Sequence, residues 1–393
     1  MRKIVLLVII VSLTLNSSIT NQARPGNFST TGSLRDTTDN WALLPFTKID
    51  SVNPVLKPGT GSFFDPILKT KVLWEEKDVF NPAIVSGGNK IYMLYRAQDK
   101  TGKPAGTSRI GLAISTDAMH FIRKPHPVLY PGNDVFKKLE WEGGCEDPRV
   151  VEDGIGTYYM TYTAFDGKTA RLLIATSTDL FHWKKYGSVF AKAYNGKYAG
   201  LWSKSGSIVS AYKDGRIIAT KIMGKYWMYW GDKQIWSAKS DDLINWTPVE
   251  LKKNEQQSTK INSQGPGMAK LKIALPTRLG MFDSDLVESG PPAMLTDKGI
   301  LLIYNSRNNQ LIGDKSLNDG TYSASQVLFD KHNPTKILKR MNTSFIKPEK
   351  SYELSGQVNQ VCFVEGLTQF KNKWYLYYGT ADSKIAVAYS PVK

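Results

Sequence analysis

The sequence predicts an all-β fold, a five-bladed β-propeller with the active site in its axial funnel, and two observations carry that prediction. The first is a turn that occurs three times, as ISTDAMHF (114–121), TSTDLFHW (176–183) and KSDDLINW (239–246). Each copy has a Ser, an Asp two residues later, a His or Asn three further on, and then an aromatic. The aspartates are Asp117, Asp179 and Asp242, spaced 62 and 63 residues apart. The second observation is what precedes each turn. An apolar or alternating run leads into it (RIGLAIS, RLLIATS, QIWSAKS), with an aromatic run before that (KIYMLYRA, TYYMTYTA, KYWMYWG) and a short run ahead of both (NPAIV, DPRVV, SGSIV). Even spacing and a recurrent turn give four short antiparallel strands per repeat, stacked radially.

Taken from the N-terminus, MRKIVLLVIIVSLTLNSSITNQA has a basic start (Arg2, Lys3) and an apolar run from Ile4 to about Leu15. That run is too short to span a bilayer comfortably and reads as a secretory signal over residues 1–23. The mature product is expected to be exported, periplasmic or secreted, with no membrane span. Residues 24–75 carry no repeat pattern and are expected to form an extension packing on the propeller, which occupies 76–393. Beyond the three clear repeats, PPAMLTDKGILLIYNS (291–306) supplies two strands of a fourth and YSASQVLFD (322–330) its third. The run 361–390, VCFVEGLTQFKNKWYLYYGTADSKIAVAYS, supplies a fifth. A polar, lysine-rich segment, 251–277, interrupts repeats three and four and reads as a surface insertion.

Composition narrows the function classes. Hydrophobic residues make up 41% of the 393 and charged residues 22%, which marks a globular chain with a substantial core. The net charge of +16, or +14 without Arg2 and Lys3, comes from scattered lysines with no nucleic-acid motif, so no nucleic-acid partner is expected. Ten Trp and 19 Tyr suit strand surfaces and also stacking platforms for sugar rings. The cysteines, Cys145 and Cys362, allow either a disulfide or two buried thiols. The four histidines have no metal-ligand spacing, so neither metal nor cofactor is expected. His120, His182 and the three repeated aspartates belong to a turn and are set aside as structural.

In a propeller the first strand of each repeat lines the axis, so residues at its start face one funnel. Repeat one offers Asn81 and, from its next strand, Arg96. Repeat two offers Glu146, Asp147 and Arg149 within GGCEDPRVVEDG (143–154). Repeat three offers Lys204 and Ser205. Repeat four offers Asp283, Asp285 and Glu288, ahead of Gly290-Pro291-Pro292, and repeat five offers Glu365 and later Asp382. Carboxylates thus converge from several repeats, and unpaired buried charge is costly enough to demand a reason. Two carboxylates across a funnel are what glycosidic cleavage needs: one acts as acid toward the leaving oxygen, the other as base on water or as nucleophile.

NPAIV with YRAQD, CEDPRV, SDDLINW, FDSDLVESGPPAMLTDKGILLIYNS, DKHNPTKILKR and YLYYGTADSKIAVA run in order from about residue 80 to the C-terminus. In this the chain resembles glycoside hydrolase family 130, the mannoside phosphorylases and related β-mannosidases. The resemblance implies a five-bladed propeller that acts with inversion on β-linked mannoside oligosaccharides. It also implies that Asp147, in the EDPR motif, is the general acid, acting through a sugar hydroxyl, with Arg149 orienting substrate or carboxylate. Glu146 would hold the loop.

Departures from the phosphorylase pattern point to hydrolysis. The family's phosphate-binding histidine after the GPP strand is replaced by Asn305, between Tyr304 and Ser306, and Asn305 becomes a candidate sugar contact. The aromatic run Tyr226-Trp227-Met228-Tyr229-Trp230 stands where phosphorylases show a His-Arg pair. Glu288 and Glu365 add acid at positions not usually acidic, so Glu288 is the expected base, with Glu365 as its alternative. Less positive and more negative charge disfavours a phosphate dianion and favours a carboxylate-activated water. A phosphorylase using Arg96, Arg149, Lys204 and Arg307 for phosphate is the alternative within the fold. A non-catalytic glycan-binding propeller is the alternative outside enzymes.

Overall fold

The computed structural model describes residues 41–103, 105–256 and 266–392. The expected signal, residues 24–40 of the expected extension, and residues 257–265 of the insertion lie outside the described residues. The compact unit is Trp41–Lys393. Its regular structure is nearly all β: the described residues hold two α-helices, Lys137–Glu140 and Ser351–Leu354, of four residues each. No described helix is long and apolar enough to cross a membrane.

Antiparallel pairing groups the strands into successive sets along the chain. The first runs Asp78–Gly87, Lys90–Gln98, Ser108–Ser115 and Ile122–Arg123. The second runs Gly144–Glu152, Tyr158–Phe165, Ala170–Ser177 and Lys184–Ser188. In the third, Ser207–Ile208 pairs with Tyr226–Trp230, then Ile235–Ser240 and Trp246–Pro248 follow. In the fourth, Leu286–Ser289 and Met294–Thr296 share one partner, Gly299–Arg307, followed by Tyr322–Asp330 and Asn333–Arg340. The last joins Cys362–Phe370, Lys373–Thr380 and Lys384–Pro391, and its outer strand is Thr47–Lys48 from the other end of the chain.

Two features depart from the sequence reading. A hairpin, Ser210–Lys213 with Arg216–Ala219, is inserted after the first strand of set three. Its turn, Asp214-Gly215, puts both residues at positive φ (53° and 79°), as a type I′ turn requires. It bridges outward, Ile218 to Glu152 and Ser210 to Met294, and so ties three sets together. The other is the repeated brace described next, which takes Asp283 out of the funnel.

In four sets a tyrosine of the second strand donates to a carboxylate that lies ahead of the first strand, and a cation of the outermost strand closes the triangle. Tyr95 and Arg123 meet Glu75 (2.8 and 3.2 Å), and Tyr162 and Lys185 meet Glu140 (2.8 and 2.6 Å). Tyr304 and Arg340 meet Asp283 (2.8 and 2.5 Å), and Tyr378 and Lys48 meet Glu353 (2.9 and 2.7 Å). Each brace fixes the outer strand of a set to the segment that enters it. Lys48 does this with a strand borrowed from the N-terminal side.

Candidate active site

The residues of the site are delivered by irregularities in the first strands. Opposite Lys90–Gln98, Phe80 pairs with Arg96 and Pro82 with Tyr95, which leaves Asn81 bulged. Opposite Tyr158–Phe165, Glu146 pairs with Thr163 and Arg149 with Thr161, which leaves Asp147 and Pro148 bulged. Opposite Lys373–Thr380, the bulged residue is Glu365. A bulge turns one side chain out of the alternation. Asn81 and Asp147 both hold φ of 48°, and Ser205 holds 57°. Such left-handed backbone is costly for a residue with a Cβ and is found where surrounding structure enforces it, often at functional sites.

The bulges at Asn81 and Asp147 open on one cavity of about 100 Å³, lined by Asn81, Arg96, Asp147, Lys204, Glu288 and Asp382 with an apolar wall that includes Phe80 and Phe363. Asp147 is 2% exposed. It accepts from Asn81 Nδ2 (2.9 Å) and Arg96 Nη1 (3.1 Å), and its other oxygen lies 3.8 Å from Lys204 Nζ. Glu288 Oε1 accepts from Ser205 Oγ and lies 3.9 Å from the same Lys204 Nζ. The two carboxylate oxygens on that ammonium are therefore at most 7.7 Å apart. Arg96 Nη2 binds Glu146 (2.7 Å), which also accepts from Ser108 Oγ (3.3 Å).

These surroundings separate the carboxyl groups. Burial pushes Asp147 up, but Arg96, Lys204 and the Asn81 hydrogen bond outweigh it and hold its pKa at about 2. Burial raises Glu288, and Lys204 only partly offsets this against the nearby Asp232. Burial also raises Glu146. Asp382, at the cavity wall, rises to about 7 through burial, with Arg96 pulling the other way.

The sequence candidates divide accordingly. Asn81, Arg96, Asp147, Lys204, Glu288 and Asp382 line the cavity, with Glu146 and Ser205 directly behind them. Arg149 lies buried beneath it, each of its three nitrogens donating to a backbone carbonyl, Gly290 O (2.8 Å), Ser289 O (2.6 Å) and Asp147 O (3.2 Å), so it does not reach out to orient a ligand. Glu365 is buried and outside the cavity lining. Asn305 is corrected to a structural clamp: it donates to Val364 O (2.9 Å) and accepts from Val364 N–H (2.7 Å). Asp283 belongs to the Tyr304–Arg340 brace and also pairs with Arg278 (2.8 Å). Asp285 is paired with Arg307 and lies 3.7 Å from Lys233, outside the lining. Cys145 and Cys362 are free, buried thiols, not a disulfide.

Two site residues escaped the sequence reading. Asp232 receives Trp202 Nε1 (2.9 Å) and its backbone bridges to Glu288. It follows Trp230-Gly231 in what reads as a plain hairpin turn. Tyr322 opens the Tyr322–Asp330 strand, lines the cavity and accepts from Arg307 Nη1 (3.2 Å). Nothing in its strand pattern marked it as more than a wall. Larger hollows, of about 480 and 550 Å³, open elsewhere on the surface, but neither gathers opposed buried carboxylates.

Residues 52–393 match the model of glycoside hydrolase family 130, described as β-1,4-mannooligosaccharide phosphorylase. The chain belongs to this family. Over 340 residues it is 30% identical to a 1,2-β-oligomannan phosphorylase of Thermoanaerobacter sp. (strain X514), covering 84% of this chain and 95% of that protein. It is 44% identical to a glycosyl hydrolase from Bacteroides ovatus of known structure, at a TM-score of 0.83 over 90% of this chain and 97% of that one. Identity is also 44%, at a TM-score of 0.83 and the same coverage, to a structure reported with family 130 glycoside hydrolases that target β-1,2 mannosidic linkages in Candida mannan. These family 130 relatives fit a propeller-like arrangement of the strand sets.

Proposed function

We propose that this member of family 130 is an exported hydrolase of β-mannosides, β-1,2-linked above all, built as a five-bladed propeller and acting with inversion. The observation that carries the reading is that, among the described residues, the cations around the cavity are already engaged. Arg96 is taken by Glu146 and Asp147, Lys204 lies between Asp147 and Glu288, Arg149 is spent on backbone carbonyls, and Arg307 and Lys233 serve Asp285. A phosphate dianion would have to break those pairs, whereas a water needs one carboxylate within reach. The 44% identity to the structure reported with family 130 hydrolases of β-1,2 mannosidic linkages, against 30% to the oligomannan phosphorylase, supports the same side.

In the mechanism Asp147 supplies the proton to the leaving oxygen, relayed by a sugar hydroxyl, and Glu288 takes a proton from the attacking water. The upper limit of 7.7 Å on their separation admits the lower part of the roughly 6.5–9.5 Å range used by inverting enzymes and does not by itself select inversion. Lys204, shared by both carboxylates, keeps charge on either one tolerable as the proton moves. Asp147 holds no proton in the resting site, so it must first take one up from solvent, as bound substrate displaces Arg96 and Asn81 and thereby raises its pKa.

That resting polarity favours a second reading with the roles exchanged: Asp147, already ionised, activates water and Glu288, with its raised pKa, is the acid. Both readings predict mannose from β-1,2-mannobiose whether or not phosphate is present. Release of α-mannose 1-phosphate, with no turnover when phosphate is omitted, would overturn the hydrolase proposal. Tight sugar binding with no turnover in either condition would favour a glycan-binding propeller.

A further inference from the structure

Glu365 occupies a position that neither catalytic role explains. It is 0% exposed, it lies outside the cavity lining, and neither of its carboxyl oxygens has a hydrogen-bond partner among the described residues. The nearest cation is Arg149, whose Nη2 is 3.5 Å away. That guanidinium is already committed. Its donors run to Asp147 O on one side and to Ser289 O and Gly290 O on the other. Arg149 therefore staples the backbone of Asp147 to the strand end that carries Glu288.

An ionised Glu365 would compete for this staple, because a charge-assisted contact outbids a neutral carbonyl. It would also add a negative charge beside Asp147 and Glu288 with only Arg149 and Lys204 to offset it, at a site with no water-facing oxygen. With a neutral Glu365 the competition vanishes.

We propose that Glu365 is a buried carboxylic acid that keeps its proton, and that by doing so it leaves Arg149 free to hold Asp147 and Glu288 in register. Glu365 is then a positioning residue, not the base. The inference rests on the reading that Asp147 and Glu288 carry the chemistry, but it does not depend on whether water or phosphate is the acceptor. Burial drives its pKa well above the carboxylate range, Arg149 and Lys204 oppose this, and Asp147 and Glu288 add to the rise.

The test compares wild type with Glu365→Gln, a neutral isostere, and Glu365→Ala, in turnover and in thermal stability between pH 5 and 9. A group with a raised acid pKa holds a proton in the folded state that the unfolded chain has lost. Its stability contribution is therefore present at low pH and falls as pH rises above the unfolded value toward the folded one. Glu365→Gln should flatten that fall, move the alkaline limb of the rate profile upward, and keep turnover within about tenfold of wild type at pH 6. Glu365→Ala should lose far more, because it leaves a cavity beside Arg149. If Glu365→Gln is inactive at every pH with an unchanged stability slope, Glu365 is ionised and acts chemically. If both pH dependences stay as in wild type, the proton is not held there. Should Glu365→Gln fail to fold, Glu365→Met, also uncharged, takes the stability arm. Phosphate dependence of the wild-type product, read in the same assay, reports separately on the hydrolase proposal.

Discussion

Asp117, Asp179 and Asp242 stand at the outer turns of three strand sets, while Asp147, Glu288 and Glu365 stand at or beneath the buried site, and the two groups are treated in opposite ways. Each turn aspartate accepts two backbone N–H donors and a Ser hydroxyl; for Asp179 these are Phe181 N and His182 N (both 2.8 Å) and Ser177 Oγ (3.0 Å). The second oxygen takes a ring or amide nitrogen at 2.7 Å in all three copies. Burial pushes Asp117 and Asp242 up and the turn's hydrogen bonds outweigh it, whereas at Asp179 the His182 contact leads. All three fall below the usual carboxylate range. The groups at the site have too few donors to go round, so one carboxyl is held ionised and two are pushed up. Where the sequence repeats, the carboxylates are satisfied locally; where the repeat is broken, they compete, and competition is what makes proton transfer possible.

Substitutions should separate the two groups by orders of magnitude. Asp147→Asn keeps the shape and the Asn81 contact but cannot exchange a proton, so turnover should fall by about a thousandfold or more with the melting temperature little changed. Near-normal turnover in that variant would remove Asp147 from the chemistry and erase the contrast. Lys204→Met should act through pH. Lys204 lowers the pKa of Glu288 against its burial, so without it the pKa of Glu288 rises further. If Glu288 is the base and must be ionised, the acid limb of the pH–rate profile should then move to higher pH. A limb that stays in place would detach Glu288 from that limb.

The braces lie between the extremes. Lys48→Met leaves the Glu353 carboxylate, 0% exposed, without its cation, and should cost about 3 kcal/mol in chemical denaturation, with kcat of the folded protein unchanged. A neutral effect would show that the strand Thr47–Lys48 is not fastened by this pair. The smallest effect belongs to the turns. Asp179→Ala removes hydrogen bonds at a side chain that is 46% exposed, so a loss of about 1 kcal/mol and no change in rate are expected. A kinetic defect there would contradict the assignment of the repeated aspartates to scaffold.

The repeat was legible because its turn is a local device: the Ser and Asp side chains make their hydrogen bonds within six residues. The positions of Asn81, Asp147 and Glu288 were legible for a related reason, since each lies within the first few residues of a first strand and the motif fixes where that strand begins. Other features were hidden because they depend on distant partners. The brace that claims Asp283 needs Arg340 and Tyr304, and the clamp that claims Asn305 needs the backbone of Val364. Asp232 joins the site only because two strand sets bring its backbone against Glu288. Polar residues at strand ends looked alike in the sequence, and tertiary pairing sorted them into walls, braces and chemistry. The Asp214-Gly215 hairpin, by contrast, carried a turn signal in plain view that the dominant repeat pattern overshadowed.

The proposed division of labour between Asp147 and Glu288 can be tested most directly by azide rescue. A small anion can replace a water that has lost its base, but it cannot replace a lost acid. With an activated β-mannoside as donor, Glu288→Gln should lose most of its turnover and regain part of it with added azide, yielding α-mannosyl azide. Asp147→Asn should give no azide product. Azide product from Asp147→Asn and none from Glu288→Gln would contradict the account and exchange the two roles.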